Sequence, residues 1–579
     1  MAAAGADERI RYEPDERCPP LVAIGVGVQG VLLALAPLVV VAAVSGVAAG
    51  QDEDQLTWTL VAALIVGGIV TILQAARFGR VGLGHVMIMG VTPNYIAVSV
   101  LALAEGGPST LASLLVLSSV FYFAVAAWLP LLRRVITPAV TGTVLMLIAV
   151  TLLPIAWDRL QEVPDGAAAI AGPGVAAVTL ITTTILALRG PRKWRVWSPL
   201  MGIGAGCVAA VLTGLYDPAR VVDAPWFGIP RGGFPGLDLT PTAGFWALLP
   251  MFLVVTGVQA IKAVGDGVVV QQVAWRRPRS TDFRLIQGTI YASALGTLIA
   301  GLAGTPPAAA FSASTVSLVS FTGVAARRVA YVMGIGLVVL ALLPKLTGLM
   351  LTIPNPVMGA FLLIAVGLLF VEGVRTVARA GLDAPTTLVV SLAFALGVGF
   401  EQFNVFEGVV SSPWSSLLGN GITVGAATAI GLTLFLEFTK PRRRRFEGRL
   451  DMADLPRLDA YLQETAATMR WDAASTERLR SAGEETLSSL IHPADNPGEG
   501  KPKRLVVTTS PDDRAVELEF VAALENENLG DRLALLADER EAPDERNLSF
   551  RLLRHYAASV RHQQYHNVDI VTVRVEGST

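Results

Sequence analysis

Residues 84–100 read GHVMIMGVTPNYIAVSV, and residues 304–321 read GTPPAAAFSASTVSLVSF. Each stretch is largely apolar, but glycine, proline and polar residues interrupt it. Lipid does not tolerate unpaired backbone groups, so such interruptions must be buried in protein or line a cavity. The alternative is that glycine and proline only let neighbouring helices pack closely. The position of these two stretches among the other apolar segments distinguishes the two interpretations.

The apolar segments of the chain form a regular series. A helix needs about 20 apolar residues to cross a bilayer, and fourteen candidates lie near 21–47, 56–76, 83–104, 110–132, 136–156, 171–189, 196–215, 243–264, 285–303, 306–324, 329–348, 354–373, 384–402 and 416–438. The interrupted stretches occupy the third place in each set of seven. Broken spans at matching positions indicate an inverted repeat with a central binding site. We therefore predict an all-α membrane protein of 14 transmembrane segments, as 7+7 inverted repeats with broken third and tenth spans.

Charge in the loops predicts the orientation. Basic residues follow every even-numbered segment, for example Arg77 and Arg80 after the second and Arg276 and Arg277 after the eighth. Because Lys and Arg stay on the cytoplasmic side, both termini should be cytoplasmic in a multi-pass protein of the cell membrane. Only 16% of the residues are charged and 53% are hydrophobic, which excludes an ordinary soluble protein. The net charge of −2 gives no indication of nucleic-acid binding.

The chain divides by composition into four parts. We predict a cytoplasmic N-terminal tail over 1–20, a transmembrane domain over 21–439, a basic linker over 440–450, and a cytoplasmic domain over 451–579. The last part is charged throughout and alternates helix-like with strand-like runs, as in a small α/β or α+β domain. Predicted helices include AYLQETAATMRWDA, TERLRSAGEETLSSLIHP and NLSFRLLRHYAASVRH, and predicted strands are RLVVTTS, AVELEFVAAL and VDIVTVRVEG.

Three stretches of the membrane region carry a resemblance to a known family. They are LQAARFGRVGLGHVMIMG (73–90), LRRVITPAVTGTVLMLIAVTLLP (132–154) and IPNPVMGAFLLIAVGLLFVEGVRTV (353–377). Together they resemble the nucleobase/ascorbate transporter family of uracil, xanthine and ascorbate permeases. The resemblance implies a core and a gate domain, and a short strand with a half-helix in each broken span. It also implies nucleobase uptake by alternating access, coupled to a proton or a sodium ion, with a homodimer as one assembly.

The motifs of that family are altered here. Its first span carries Gln-His, whereas this chain has Gln29-Gly30. Its eighth span carries a pattern like Glu-x-x-Gly-Asp, and here Lys262 stands in place of the acid while Asp266 is kept. Its tenth span carries Gln or Glu before Asn, and counting back from Thr322 gives Ser314 and Thr315, with Ala313-Ser314 as the alternative register. A hydroxyl or an ammonium does not replace a carboxylate that accepts two ring N–H groups.

Lys262 has three interpretations. A lysine inside a span costs about 3 kcal/mol or more, and is a functional hypothesis by default. In the first interpretation, Lys262 binds an anionic substrate. In the second it pairs with Asp266, one helical turn away, and in the third its side chain extends to the cytoplasmic interface. Asp266 is the candidate ion-coupling group, because burial makes protonation of a carboxylate feasible; its alternative role is to pin the end of the eighth span.

Four further residues are candidate substrate contacts. Gln29 and Gln259 could bond a substrate edge or join helices. Thr92 and Tyr95 lie in the third span, where the family places backbone and aromatic contacts with the base. The substrate-binding set is thus Lys262, Ser314, Thr315, Gln29, Thr92, Tyr95 and Gln259. Neither a nucleophile–base set nor a metal cluster is recognisable, so we expect a transporter without a cofactor rather than an enzyme.

The last 110 residues resemble the ATPase domain of histidine kinases and anti-sigma factor kinases, in a degenerate form. The helix that should carry an Mg²⁺-binding Asn reads Glu484-Glu485-Thr486-Leu487-Ser488-Ser489, and the phosphate-binding glycines are replaced in ENENLGDR and at 548–551. We expect no ATPase activity. Two other functions stay open for the whole chain: a permease for a small organic or inorganic anion, like the sulfate permeases, and a membrane sensor that signals through this domain.

Overall fold

The computed structural model describes residues 10–132, 137–163, 168, 170–195, 197–217, 221–222, 225–228, 233–238, 240, 242–276, 282–381, 383–403, 419–439, 444–491, 504–512, 515–522, 553, 555–565 and 568–578. The chain divides into two compact units. The membrane unit comprises 1–276 and 288–436, and the C-terminal unit comprises 277–287 and 437–579.

Helices dominate the membrane region. Their bounds are α1 Pro20–Ala48, α2 Glu53–Ala76, α3 Ile96–Leu132, α4 Pro138–Gln161, α5 Ala171–Arg189, α6 Arg192–Arg195, α7 Ser198–Leu212, α8 Ala243–Val273, α9 Phe283–Ala303, α10 Ser312–Thr322, α11 Arg327–Ala341, α12 Pro344–Leu351, α13 Asn355–Ala380, α14 Ala384–Gln402 and α15 Gly421–Thr439. Two three-residue strands interrupt the series, β1 Met89–Val91 and β2 Ala308–Ala310.

Each predicted span overlaps at least one of these elements. Among the described residues, nine helices are long and apolar enough to cross a membrane, or ten if α11 and α12, bent by 83°, form one span. The all-helical, multi-pass class is thus confirmed, while the count of fourteen stays a prediction. The third and fourth spans run together as α3, whose 37 residues include Gly107 at φ +73°. This left-handed glycine interrupts the helical geometry between the two predicted spans.

Glycines let the helices of the membrane unit approach closely. A Cβ added to Gly68 on α2 would lie 2.5 Å from the carbonyl oxygen of Gly334 on α11. On α4, a Cβ added to Gly142 would lie 2.6 Å from the carbonyl oxygen of Gly373 on α13. Lipid provides no hydrophobic driving force for helix association, so helices in a membrane associate through close packing. Small residues at such crossings allow that packing. Close packing by glycine is therefore a feature of the intact helices as well as of the broken ones.

The C-terminal unit folds around an antiparallel sheet. Its elements are β3 Arg444–Arg449, α16 Leu455–Thr468, α17 Ala473–Leu490, β4 Arg504–Asp512, β5 Ala515–Ala522, β6 Ser559–Tyr565 and β7 Val568–Glu576. The strand order is β3-β4-β5-β7-β6, with every pair antiparallel. Leu462 and Leu487 from the helices join Val507, Phe520 and Val573 from the sheet in one buried core. The sheet makes this an α+β rather than an α/β unit.

Two sequence predictions for this unit differ from the structure. Residues 444–449, predicted within the basic linker, form the edge strand β3. The end of the predicted helix 547–562 is strand, because Ser559–Tyr565 pairs with β7 and this pairing overrides local helix propensity. The stretches ENENLGDR and 548–551 lie outside the described residues, and the resemblance to a degenerate ATPase domain stays a prediction.

Candidate substrate site

The two broken spans meet through their short strands. β1 and β2 pair antiparallel, with Gly90 opposite Ala309. The pairing continues beyond the strands, since Phe311 N donates to Ile88 O at 2.9 Å. A Cβ on Gly90 would lie 2.5 Å from the Phe311 ring, so only glycine fits there. Each unwound backbone therefore satisfies the other inside protein, as the broken-span prediction requires.

Thr315 ties the half-helix α10 to the first broken span. Its hydroxyl accepts from Ile88 N at 3.0 Å and donates to Phe311 O at 2.9 Å. The residue is fully buried. The hydroxyl predicted as a substrate contact is thus engaged with backbone groups, and it holds the register of the strand–half-helix junction.

Helix α8 is joined to both broken spans by three side-chain hydrogen bonds. The Tyr95 hydroxyl lies 2.6 Å from Thr256 Oγ1, and Asn94 Nδ2 donates to Gln259 Oε1 at 2.7 Å. Farther along, Ser312 Oγ donates to Asp266 Oδ1 at 2.6 Å. Since a helix turns once every 3.6 residues, positions 256, 259 and 266 lie on one face. That face carries Gln259 and Asp266 of the predicted set and the Thr256 hydroxyl that is bonded to Tyr95.

Two acceptor oxygens, one on this face and one on the broken span bonded to it, have no partner among the described residues. They are Asp266 Oδ2 and Asn94 Oδ1, both buried. A buried polar group without a partner costs about 1–3 kcal/mol. Such groups call for a specific explanation, and a ligand with N–H donors would supply one.

Lys262 lies between Gln259 and Asp266 on the same face, three residues after one and four before the other. Its side chain is partly exposed, and in the described part of the chain it makes neither a hydrogen bond nor an ion pair. The ammonium still lies within electrostatic range of Asp266, as does the carboxylate of Glu372 on α13. The predicted Lys262–Asp266 pair is therefore not closed into a salt bridge, and Asp266 is bonded to Ser312 instead.

The remaining predicted residues differ in position. Thr92 is buried beside β1, where its hydroxyl accepts from Asn94 N at 3.4 Å. Ser314 is partly exposed on α10, one residue before Thr315. Gln29 is exposed on α1, as are Ile24 and Val28 of the same helix. The structure thus separates Gln29 from the cluster on α8.

Three members of the cluster were missed by the sequence reasoning. Asn94, Thr256 and Ser312 were not predicted, although Asn94 and Ser312 lie inside the two interrupted stretches. A signal was available, because a polar side chain inside an apolar span needs a partner. Which partner each one finds depends on the crossing of α8 with the strands, and sequence spacing does not encode that crossing.

Comparison with known proteins places the chain in a family. Residues 22–406 match a family model described as a permease family. The chain belongs to this permease family. The predicted resemblance to the nucleobase/ascorbate transporters is confirmed, and with it the prediction that the protein is a transporter and not an enzyme.

The permease matches several relatives over most of their length. It is 28% identical over 429 residues to a protein of Clostridium perfringens named as a purine permease, covering 73% of this chain and 92% of that one. It is 29% identical over 392 residues to the xanthine permease XanP of Escherichia coli, covering 64% and 82%. It is 27% identical over 422 residues to the uric acid permease PucK of Bacillus subtilis, covering 72% and 95%.

Among solved structures, the permease is similar to a murine Slc26a9 anion transporter in the inward-facing state. The TM-score is 0.49 and the identity 12%, over 75% of this chain and 71% of that one.

Proposed function

We propose that this permease moves an oxopurine, of the xanthine or urate type, across the cell membrane by alternating access. Both termini lie in the cytoplasm, as the basic residues after the even-numbered spans predict. The cargo binds where α8 crosses the paired strands. The observation that carries the proposal is a set of polar groups that have no partner among the described residues: Asp266 Oδ2 and the ammonium of Lys262 on α8, and Asn94 Oδ1 on the broken span beside it.

The chemistry of these groups is complementary to an oxopurine. Such a base presents ring N–H donors beside carbonyl acceptors around a flat ring. Asp266 Oδ2 and Asn94 Oδ1 would accept from the N–H groups, while Lys262 would donate to a carbonyl oxygen or an ionised ring nitrogen. The acceptor lost at position 262 is thereby replaced by Asn94, which faces the site from the broken span.

Lys262 favours a negatively charged base. Urate is an anion at neutral pH, whereas xanthine and uracil are largely neutral there. A charge-assisted hydrogen bond to an ammonium is worth about 1.5–3 kcal/mol, which is about a 10- to 150-fold preference. We therefore propose urate as the preferred cargo, with xanthine carried less well.

Asp266 is the proposed coupling residue. Its carboxylate is buried, bonded to the Ser312 hydroxyl and within electrostatic range of Lys262, so its charge state depends on what occupies the space beside Oδ2. A proton or a sodium ion would bind there together with the cargo. Protonation would leave the Ser312 hydrogen bond in place, because Oδ1 would still accept it.

The test is uptake of labelled urate, xanthine and uracil into proteoliposomes, with and without a pH gradient. We expect urate to accumulate, and we expect Lys262→Glu to shift the preference toward xanthine by about tenfold or more. Lys345→Gln is the matched control, since this lysine lies over the Trp226 ring at 4.9 Å and away from α8. Absence of uptake of all three bases would refute the proposal. An unchanged urate-to-xanthine ratio in Lys262→Glu would refute the role of the lysine.

The unpaired lysine also supports a second candidate, a permease for a small inorganic or organic anion. In that case bicarbonate or sulfate would enter the same liposomes and urate would not. Asn94 Oδ1 and Asp266 Oδ2 together distinguish the two candidates, because sulfate has no hydrogen-bond donor and bicarbonate has only one, which leaves at least one of these acceptors unpaired. We therefore favour the oxopurine.

A further inference from the structure

Residues 10–16 run along one end of the membrane unit, beyond the end of α10. Arg11 N and Tyr12 N both donate to Gly323 O, at 2.6 and 3.1 Å, and Ala325 N donates to Tyr12 O at 2.8 Å. Tyr12 thereby forms an isolated parallel bridge with Val324. The segment pairs with the turn that terminates the half-helix α10. We call residues 10–16 the N-terminal clamp.

The clamp also holds the end of α8. The guanidinium of Arg276, three residues beyond α8, donates to both carboxylate oxygens of Glu16, at 2.7 and 2.6 Å. It donates further to the carbonyl oxygens of Ile10 and Arg11, at 3.0 and 2.6 Å. The backbone N–H of Arg276 donates to Glu13 Oε1 at 3.2 Å. Because several hydrogen bonds hold the planar guanidinium of Arg276, they fix the orientation of this side chain as well as its position.

A second arginine joins the clamp to the loop before β1. Arg327 Nε donates to Gly84 O at 2.6 Å, and its Nη2 bonds Asp15. Its backbone N–H donates to Pro14 O at 3.1 Å. Apolar contacts reinforce the arrangement, since Ile10 packs with Trp275 against Ala274, Val319 and Ala325.

The three elements held by the clamp are those that form the candidate site. They are α8 with Lys262 and Asp266, α10 with Ser312, and the loop that enters β1. Asp266 lies ten residues before Arg276, which is about 15 Å along a helix. The half-helix α10 has only 11 residues, and a helix of that length is marginally stable without tertiary contacts. A displacement of Arg276 along the α8 axis would therefore move Asp266 relative to Ser312.

We propose that Glu16 and Arg276 are positioning residues, through which the N-terminal clamp sets the register between α8 and the half-helix at the candidate site. The clamp acts on cargo affinity and selectivity without touching the cargo. The inference rests on the proposed function only for its uptake readout. Hydrogen exchange of residues 312–322 provides a second readout that does not depend on the cargo.

The experiment is a charge swap in the full-length chain, reconstituted in liposomes. Glu16→Arg places two cations together, and we expect the KM for urate to rise by about five- to tenfold, with a changed urate-to-xanthine ratio and faster exchange over 312–322. The double variant Glu16→Arg with Arg276→Glu restores the ion pair, and we expect it to return all three values to within about twofold of wild type. Glu16→Gln should change KM, selectivity and exchange in the same direction but less strongly. It replaces Glu16→Arg in the experiment if that variant does not fold.

Arg195→Glu is the matched control. Among the described residues, the Arg195 guanidinium donates to the nearby carbonyl oxygens of Gly190 and Leu188 alone, so KM and selectivity should not change. The proposal is overturned if Glu16→Arg lowers only the amount of protein while KM, selectivity and exchange stay at wild-type values. It is also overturned if the double variant is no closer to wild type than the single ones. If the wild type takes up no base, the proposed function fails and exchange over 312–322 alone decides the role of the clamp.

Discussion

The hydroxyl of Ser312 donates a 2.6 Å hydrogen bond to Asp266 Oδ1, while Asp266 Oδ2 is buried and unpartnered in the described part of the chain. This bond joins the start of the half-helix to the charged face of α8. It orients one carboxylate oxygen and leaves the other available. In the described part of the chain, Asp266 is thus held by a serine hydroxyl and not by a salt bridge to Lys262.

Asp266 and Ser312 should therefore have separable effects on uptake. Asp266→Asn keeps the shape and removes the charge, so we expect loss of pH-driven accumulation with retention of exchange between internal and external urate. Ser312→Ala leaves both oxygens unpaired, and we expect KM to rise by about tenfold, equivalent to about 1.4 kcal/mol. Ser320→Ala, farther along α10, is the control. Full pH-driven accumulation by Asp266→Asn would exclude this residue from coupling.

The Asn94–Gln259 hydrogen bond should behave as a coupled pair. Gln259→Ala removes the partner of Asn94 Nδ2, and leaving this buried amide unsatisfied should cost about 1–3 kcal/mol. A double-mutant cycle with Asn94→Ala, followed by thermal unfolding in detergent, measures the coupling. We expect the two destabilisations to be clearly less than additive. Additive values would mean that the two amides do not interact.

Gly90 should tolerate no side chain. Gly90→Ala would bring its Cβ to 2.5 Å from the Phe311 ring and push the paired strands apart, so we expect loss of uptake with a lower melting temperature. Gly174→Ala is the control, because in the described part of the chain the added Cβ meets no atom within 4 Å beyond its own stretch of helix, and alanine favours a helix. Phe311→Ala combined with Gly90→Ala should restore part of the stability, since it removes the ring that clashes. If the combined variant is no more stable than Gly90→Ala, the steric explanation is wrong.

The N-terminal clamp should open only in acid. The hydrogen bonds from Arg276 and from the amide of Glu13 lower the pKa of Glu16 below its ordinary value. A folded-state pKa below the unfolded one stabilises the clamp above the unfolded pKa, and this contribution is lost as the pH falls through the lowered value. Buried Cys18 lies two residues beyond the clamp and reports its opening.

In a Cys207→Ser background, we expect labelling of Cys18 by a pyridyl disulfide to stay slow from neutral pH down to about pH 4.3 and to accelerate below it. Glu16→Gln should remove most of this acid dependence. Labelling that accelerates at neutral pH would contradict the lowered pKa.

The C-terminal unit should depend on Phe520. This side chain is fully buried and lies between Val507 and Val571 in neighbouring strands. Phe520→Ala should destabilise the unit by about 3–5 kcal/mol, seen as faster proteolysis of residues 444–578 in the full-length chain. Glu517→Ala, on the exposed face of the same strand, should have an effect within about 0.5 kcal/mol. Equal proteolysis of the two variants would show that Phe520 is not central to this core.

Apolar length was sufficient to predict the class and order of the membrane elements, while the orientation inferred from loop charge stays a prediction. A span must provide about 20 apolar residues, and this requirement is local, so α1, α2, α4 and α13 could be predicted from their own residues. The interruptions at 84–100 and 304–321 likewise predicted broken spans, because unwound backbone is excluded from lipid wherever it occurs.

The tertiary structure determined which hydrogen-bond partner each polar residue of the membrane region has. The sequence predicted Thr315 as a cargo contact, which stays a prediction, and the structure shows its hydroxyl bonded to backbone groups of Ile88 and Phe311 at the strand pair. Asn94 and Ser312 belong to the site because α8 passes beside both of them. Each is more than 40 positions along the chain from the α8 residue that it contacts. A hydrogen bond depends on distance and angle in space, which composition and spacing do not specify. The sequence by itself therefore determined the membrane fold, and the crossing of α8 with the two strands determined which of its polar groups remain available for a cargo.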